Sequence, residues 1–426
     1  MTRATAPSAP SASRSTSRHR TGRTLVIIAL ALALVVGGIV GWRAWTTRAQ
    51  GEPQAVEFAE ATISPELADA TVLALGEATH GNAELQLLRL SLAQKLPQFR
   101  AIALEEDYGS VAMVDDFVQG GPGTAQEAAR RFGFVLNHTA EMAAVLQGIR
   151  DLNADRPPTE RIQLVGIDVQ RVDANRELSL GWLRQHEPAE AAAVRAALEP
   201  WTDGTASGDG AAERRAAAKP SVDRLVTAIE AAPDDERKQL ALNAAVTLQQ
   251  HIALRSSDCR YSEVRAELLA ANMSRTVAEQ RARSNDHTLL FAHNGHVDKA
   301  SVAFPHPDLG ELLVQEYGEK YRAIGTEVRH ATLISGTKQE RWQVELDNPT
   351  PLRGIFAGTE QGYLEFASAT PENRELLERR VPMASAGESF RQWQAWIGPL
   401  HAVPMVPADS YDALVLVARA TPVTPL

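Results

Sequence analysis

The sequence predicts an α/β protein with a mainly parallel central sheet flanked by helices and a large helical insertion or subdomain. Three observations lead there. Short apolar runs alternate with helical patterns from Thr71 onward, several of these runs stop abruptly at Gly, His or carboxylate, and residues 174–280 show helical periodicity with no strand signal. In open α/β sheets, ligand chemistry gathers where parallel strands end.

Residues 1–24 are Ser, Thr, Ala, Pro and Arg with almost nothing to bury, which is the composition of a disordered basic tail. Residues 25–42 then form an uncharged apolar run, close to the roughly 17–25 residues that span a bilayer. Arg14, Arg18, Arg20 and Arg23 precede it, whereas only Arg43 and Arg48 follow closely. That bias places the N-terminus inside and the body outside, as a single-pass signal anchor of the cell membrane with an extracytoplasmic domain. A cleaved signal peptide is the competing reading, with Thr47-Arg48-Ala49 as a poor cleavage site. Trp42 and Trp45 at the boundary favour retention. Residues 43–62 read as a linker and residues 63–426 as the folded domain.

Within that domain the first strand is expected at Thr71–Leu75, followed by a helix over Ala83–Leu96 with Leu85, Leu88, Leu92 and Leu96 on one face. Pro97 closes it. A second strand is expected at Arg100–Leu104, a helix at Val111–Val118, a break at Gly120-Gly121-Pro122-Gly123 and a helix at Ala140–Leu152. The third strand, Arg161–Ile167, stops at Asp168. Pro220 and Ala232-Pro233 mark breaks inside the helical region. A fourth strand follows at His287–Ala292, then a helix at Leu309–Tyr317 and strands at Tyr321–Gly325 and Tyr411–Arg419.

Composition narrows the function classes. A net charge of -10 over 426 residues argues against a nucleic-acid surface. Cys259 is the sole cysteine, so neither an internal disulfide nor a Cys-based zinc site is available. Walker A, Gly-x-Ser-x-Gly and strand-following Gly-x-Gly-x-x-Gly motifs are all missing from the sequence.

What remains is a set of polar groups at strand ends: Glu77 and His80, Glu105 to Asp107, Asp168, and His293 with His296. If the strands are parallel neighbours, these groups surround one cleft. A neutral His beside a carboxylate is the usual apparatus for taking a proton from water. Arg89, on an otherwise apolar helix, is either an edge residue whose head reaches solvent or part of the same cluster.

The segments Gly76-Glu77-Ala78-Thr79-His80-Gly81, Ala103-Leu104-Glu105, Gly166-Ile167-Asp168 and Ala292-His293-Asn294-Gly295-His296 resemble those of the erythromycin esterases, over roughly Val72 to Arg419. The resemblance implies an erythromycin esterase/ChaN-like core and a hydrolase that cleaves an ester or lactone of a small molecule with water, without an acyl-enzyme serine. It also implies that His80 is the general base, with Glu77, Arg89 and Glu105 completing the polar cluster and His293 and His296 lining the cleft. Macrolide resistance is the family's typical task, although an outward-facing anchored form is unusual for it. Two readings stand beside this one: a haem- or metal-binding protein, or a metal-dependent peptidase, on the same Gly-x-x-His core. No cofactor is expected, although Glu77, His80, His293 and His296 are the residue types of a two- or three-ligand zinc-like site.

Overall fold

The computed structural model describes residues 26–426 apart from 32, 39, 42, 43, 45–47, 49, 337–339, 349 and 388. The chain divides into two units, Met1–Arg48 and Ala49–Leu426. In the first, residues 26–31 and 33–38 are helical and expose Val26, Ile27, Ile28, Leu30, Leu34 and Val35. Among the described residues no helix is long and apolar enough to cross a membrane. The expected tail at 1–24 and Leu25, Leu32, Ile39 and Trp42 of the expected span lie outside the described residues.

The second unit is built on strands β1 (Val56–Glu57), β2 (Val72–Glu77), β3 (Ala101–Asp107), β4 (Gln163–Asp168), β5 (Thr288–His293), β6 (Tyr321–Gly336), β7 (Arg341–Asp347), β8 (Gln361–Glu365), β9 (Val381–Ala384), β10 (Ala402–Met405) and β11 (Ala413–Ala420). All but β9 and β10, which pair with each other, form one sheet in the order β1-β8-β11-β6-β2-β5-β3-β4, with β7 added to β6. From β11 to β4 every pairing is parallel, while β1, β8 and β7 attach antiparallel.

Each parallel strand is buried on both faces, so its residues alternate between two cores. Leu73 and Leu75 of β2, Ile102 and Leu104 of β3 and Leu289 and Phe291 of β5 belong to one. Val72 and Ala74, Ala103, and Leu290 and Ala292 belong to the other. Helices α1 (Ala83–Lys95), α2 (Tyr108–Val118) and α3 (Ala140–Ala154) cover the first face through Leu88, Leu92, Val111, Val114 and Leu146. Burying each such aliphatic side chain contributes about 1.5–3 kcal/mol.

Between β4 and β5 the chain is helical: α4 (Asp173–His186), α5 (Pro188–Leu198), α6 (Ala211–Ala231), α7 (Lys238–Arg255) and α8 (Tyr261–Ala282). This region has a core of its own around Trp182, Leu183, Val194, Trp201, Val222, Leu225 and Leu248. Helix α8 returns to the second face of the sheet through Leu269, Met273 and Val277, beside α9 (Leu309–Tyr317).

Several sequence expectations change. Residues 43–62 are not simply a linker, because β1 pairs with β8 and Phe58 is buried against Tyr363. Isolated apolar residues among glutamates gave no periodic signal there. Pro220 lies inside α6 instead of ending it, since Ala218, Val222 and Leu225 are buried around it and offset the lost backbone bond. Strand β6 continues to Gly336 because Thr326 and Glu327, which interrupt its apolar run, are both buried. Strands β2 and β3 also run two or three residues further than their apolar stretches, which puts Glu77, Glu105, Glu106 and Asp107 on the strands themselves.

The close approach of β2 to the turn after β5 requires a glycine. A Cβ at Gly76 would lie 2.1 Å from Asn294 Oδ1 and 3.2 Å from Asn294 Cα. Asn294 cannot retreat, because its Nδ2 donates to Thr326 O at 2.7 Å and its Oδ1 accepts from Thr326 N at 3.1 Å. The Thr326 hydroxyl in turn accepts from Ala78 N at 2.8 Å, so β2, β5 and β6 are tied at their ends. Gly76→Ala should therefore destabilise the protein by about 1–3 kcal/mol, the usual cost of overpacking, read as a lowered urea midpoint.

Candidate functional site

The neighbours β2, β5, β3 and β4 lie side by side and parallel, so Glu77, His293, Glu105 and Asp168 leave the sheet at one edge. A cavity of about 420 Å³ opens there, lined by Glu77, His80, Arg89, Glu105, His293 and His296 together with Arg171, Arg255 and Arg265. The six residues that the family resemblance assigned to the site thus meet in one place, while Asp168, Glu106 and Asp107 of the expected cluster do not line the cavity. Phe134, Leu136 and Phe291 supply apolar wall.

The turn after β2 builds the first cluster. Glu77 Oε2 accepts from Arg89 Nη2 at 3.1 Å and lies 2.9 Å from His80 Nδ1. Arg89 is buried in this contact, not at an edge where its head would reach solvent. Burial by itself would push the Glu77 carboxyl up, but Arg89 and His80 together hold it below its usual value. Burial likewise opposes charge on His80, and the bond and charge of Glu77, with Glu105 behind it, outweigh that and raise the imidazole above its ordinary 6.5. Neutral His80 then donates Nδ1–H to Glu77 and keeps Nε2 as an acceptor.

The second cluster joins β3, β5 and α8. Glu105 Oε2 accepts from His293 N at 2.8 Å, and its Oε1 accepts from Arg265 Nη2 at 2.8 Å and lies 3.3 Å from His296 Nε2. Arg265 also reaches Asp168 Oδ2 at 2.5 Å. Burial works to raise Glu105, yet His296 and Arg265 hold it well below the carboxylate range. His296 Nδ1 contacts Asp308 Oδ1 at 2.9 Å, so burial is again overcome, and Glu105 and Asp308 lift the imidazole to about 9.

His293 is the opposite case. Its Nδ1 accepts from Gly295 N at 3.2 Å, which leaves the ring proton on Nε2, and that nitrogen is buried without a hydrogen-bond partner. Burial and the neighbouring His80, whose ring centroid is 5.0 Å away, push its pKa down to about 3. The cleft therefore sets a neutral donor, His293, beside a strengthened base, His80.

The register of β3 and β4 is irregular between Leu104 and Asp107, and three adjacent carboxylates diverge there. Glu105 lines the cleft. Glu106 accepts from Phe134 N at 3.1 Å and Asn137 Nδ2 at 2.8 Å, holding the wall segment, while Asp107 caps α2 through Ser110 N at 2.9 Å.

Arg265 and Asp308 were absent from the sequence reading, as were Arg171 and Arg255. Arg265 shares α8 with Arg275 and Arg281, and helical spacing alone does not single it out. For metal binding, among the described residues no three His, Cys, Asp or Glu are grouped to hold an ion. Both nitrogens of His296 face carboxylates, and the Nδ1 atoms of His80 and His293 are already bonded. Cys259 is exposed.

Sheet and cleft together define the class: an open α/β protein whose histidine and carboxylate chemistry sits at the carboxyl ends of its parallel strands. The chain belongs to the erythromycin esterase family, whose model matches residues 97–420. Glu105, His293 and His296 fall within the match, and Glu77, His80 and Arg89 precede it. Among solved structures, a succinoglycan biosynthesis protein superposes with a TM-score of 0.71 at 17% identity, covering 92% of this chain and 99% of the other. A Bacillus cereus protein gives 0.68 at 18% identity over 92% and 99%. The erythromycin esterase EreC, a point mutant in its open conformation, gives 0.60 at 18% over 88% and 97%. These neighbours share the fold, and family membership makes the chain an esterase-like hydrolase.

The raised His296 pKa links the site to stability. A histidine raised in the folded state contributes stability that is complete below its ordinary 6.5 and is lost as pH rises through about 9. Urea midpoints measured from pH 6 to 10 should fall across that window, and Asp308→Asn should make the fall shallower and shift it to lower pH.

Proposed function

We propose that the protein hydrolyses a carboxylic ester or lactone of a small molecule by water that His80 deprotonates. The observation that carries this reading is the pairing of His80, backed by Glu77 and Arg89, with a neutral His293 whose Nε2 has no partner in the same cavity. Water between the two rings loses its proton to His80 Nε2 and attacks the carbonyl carbon. The His293 Nε2–H then donates to the oxyanion as charge develops there. Glu77 keeps His80 in the productive tautomer and stabilises the imidazolium, and Arg89 holds Glu77 ionised. His296 and Arg265 act on Glu105, which holds the His293 backbone. The imidazolium returns its proton to the leaving alkoxide.

His80→Ala should lower kcat by about 10²- to 10⁴-fold with the fold intact by circular dichroism. The base must be unprotonated, so kcat/KM should rise with pH through a pKa above 6.5. Glu77→Gln removes the carboxylate that raises this pKa, and should move the limb to lower pH as well as slowing the reaction. Unchanged turnover in His80→Ala would refute the mechanism.

For location we propose a single-pass membrane anchor at residues 25–42 with the hydrolase domain outside the membrane. Support comes from the uncharged apolar run, the arginines before it, and the exposed Val26, Ile27, Ile28 and Leu34 on helical residues. The full chain should sediment with membranes and resist extraction by high salt, and a chain starting at residue 50 should not.

A further inference from the structure

We propose that the substrate carries an anionic group, a carboxylate or a phosphate, and that Arg171 and Arg255 receive it. This rests on the hydrolase reading of the same cleft and names the class of ester it takes. The charged residues lining the cavity are Glu77, Glu105, Arg89, Arg171, Arg255 and Arg265, beside the three histidines. The carboxylates are already matched, Glu77 by Arg89 and Glu105 by Arg265. Two guanidiniums are left over. Among the described residues neither Arg171 nor Arg255 makes an ion pair, and the Nε of each is buried with no hydrogen-bond partner.

What each does touch is an aromatic face. Arg171 lies 5.2 Å from the Phe134 ring centroid and Arg255 lies 5.4 Å from that of Tyr261. Such stacking positions a guanidinium in its plane without occupying its N–H groups, so the fork stays available for a planar or tetrahedral oxyanion. The two arginines arrive from different elements, Arg171 just beyond β4 and Arg255 at the last position of α7. Tyr261 draws the elements together, its hydroxyl donating to Gln170 Oε1 at 2.9 Å. The C-terminus of α7 favours a cation at Arg255, but a helix end does not satisfy the Nε–H. A neutral substrate would leave both groups unmet, whereas an anion gives each a charge-assisted bond.

The test uses the full chain and three matched 4-nitrophenyl esters: one ending in a methyl group, one in a carboxylate and one in a phosphate. An anionic ester should exceed the neutral one in kcat/KM by roughly 10- to 100-fold, the range expected of charge-assisted hydrogen bonds. The better of the two identifies the anion. Arg171→Gln with Arg255→Gln should abolish that advantage mainly through KM, and the corresponding double Lys variant should retain part of it. Equal rates for neutral and anionic esters, or an advantage that survives the Gln pair, would overturn the proposal. Calorimetric titration with glutarate and with inorganic phosphate separates it from the hydrolase reading. If no ester is cleaved but an anion binds the native chain and not the Gln pair, the hydrolase reading fails and the anion site stands. Absence of both turnover and anion binding defeats both.

Discussion

A carboxylate removed from water is stable only where a cation and hydrogen-bond donors meet it, because the uncompensated penalty is several kcal/mol. The edge of this sheet is arranged around that constraint. Glu77 meets Arg89 and His80, Glu105 meets Arg265 and His296, and Asp168 meets Arg265. Each arginine comes from a helix packed on the sheet, so helix packing and charge pairing require each other. The same pairings separate the histidines into a strengthened base, a neutral donor and an imidazole lifted to about 9, with no difference in their intrinsic chemistry.

The strand ends were readable in the sequence because strand burial on both faces yields continuous apolar runs whose stops are sharp. Gly76 to Gly81 and Ala292 to His296 stand out for that reason, and the order of parallel neighbours then brings Glu77, His80, Arg89, Glu105, His293 and His296 together. The helical character of the segment between β4 and β5 was equally visible. Arg265, Arg171 and Arg255 were not, since an arginine on a helix or just past a strand carries no local mark of what it faces. Strands β7 to β10 were missed as well. β7 and β8 pair antiparallel and mix apolar with polar residues over short stretches, whereas β9 and β10 lie outside the main sheet as four-residue runs, each interrupted by a proline.

The irregularity in β3 shows how much one local deviation accomplishes. In a regular strand, Glu105 and Asp107 would share a face and Glu106 would oppose them. Here the three serve the cleft, its wall and a helix start. Glu106 and Asp107 are fully buried and their pKa values are pushed up to about 8 and about 6, which burial accounts for first in both cases. Structural and chemical carboxylates thus stand next to one another in sequence and differ in whether His296 and Arg265 reach them.

Strand β5 occupies the centre of the cleft-bearing edge, yet it enters the sequence late. It inserts between β2 and β3, pairing Thr288 with both Val72 and Ala101. During synthesis, β2 therefore waits with both edges bare until the whole helical excursion has emerged, since its other neighbour, β6, is later still. Exposed strand edges recruit other chains, and pairings this distant in sequence form slowly. An excursion that can collapse early around its own apolar centre keeps more than a hundred residues out of competition for those edges during the wait. In this view the helical region matters to assembly as much as to the finished cleft, as a compact spacer that delivers β5 to its place between β2 and β3.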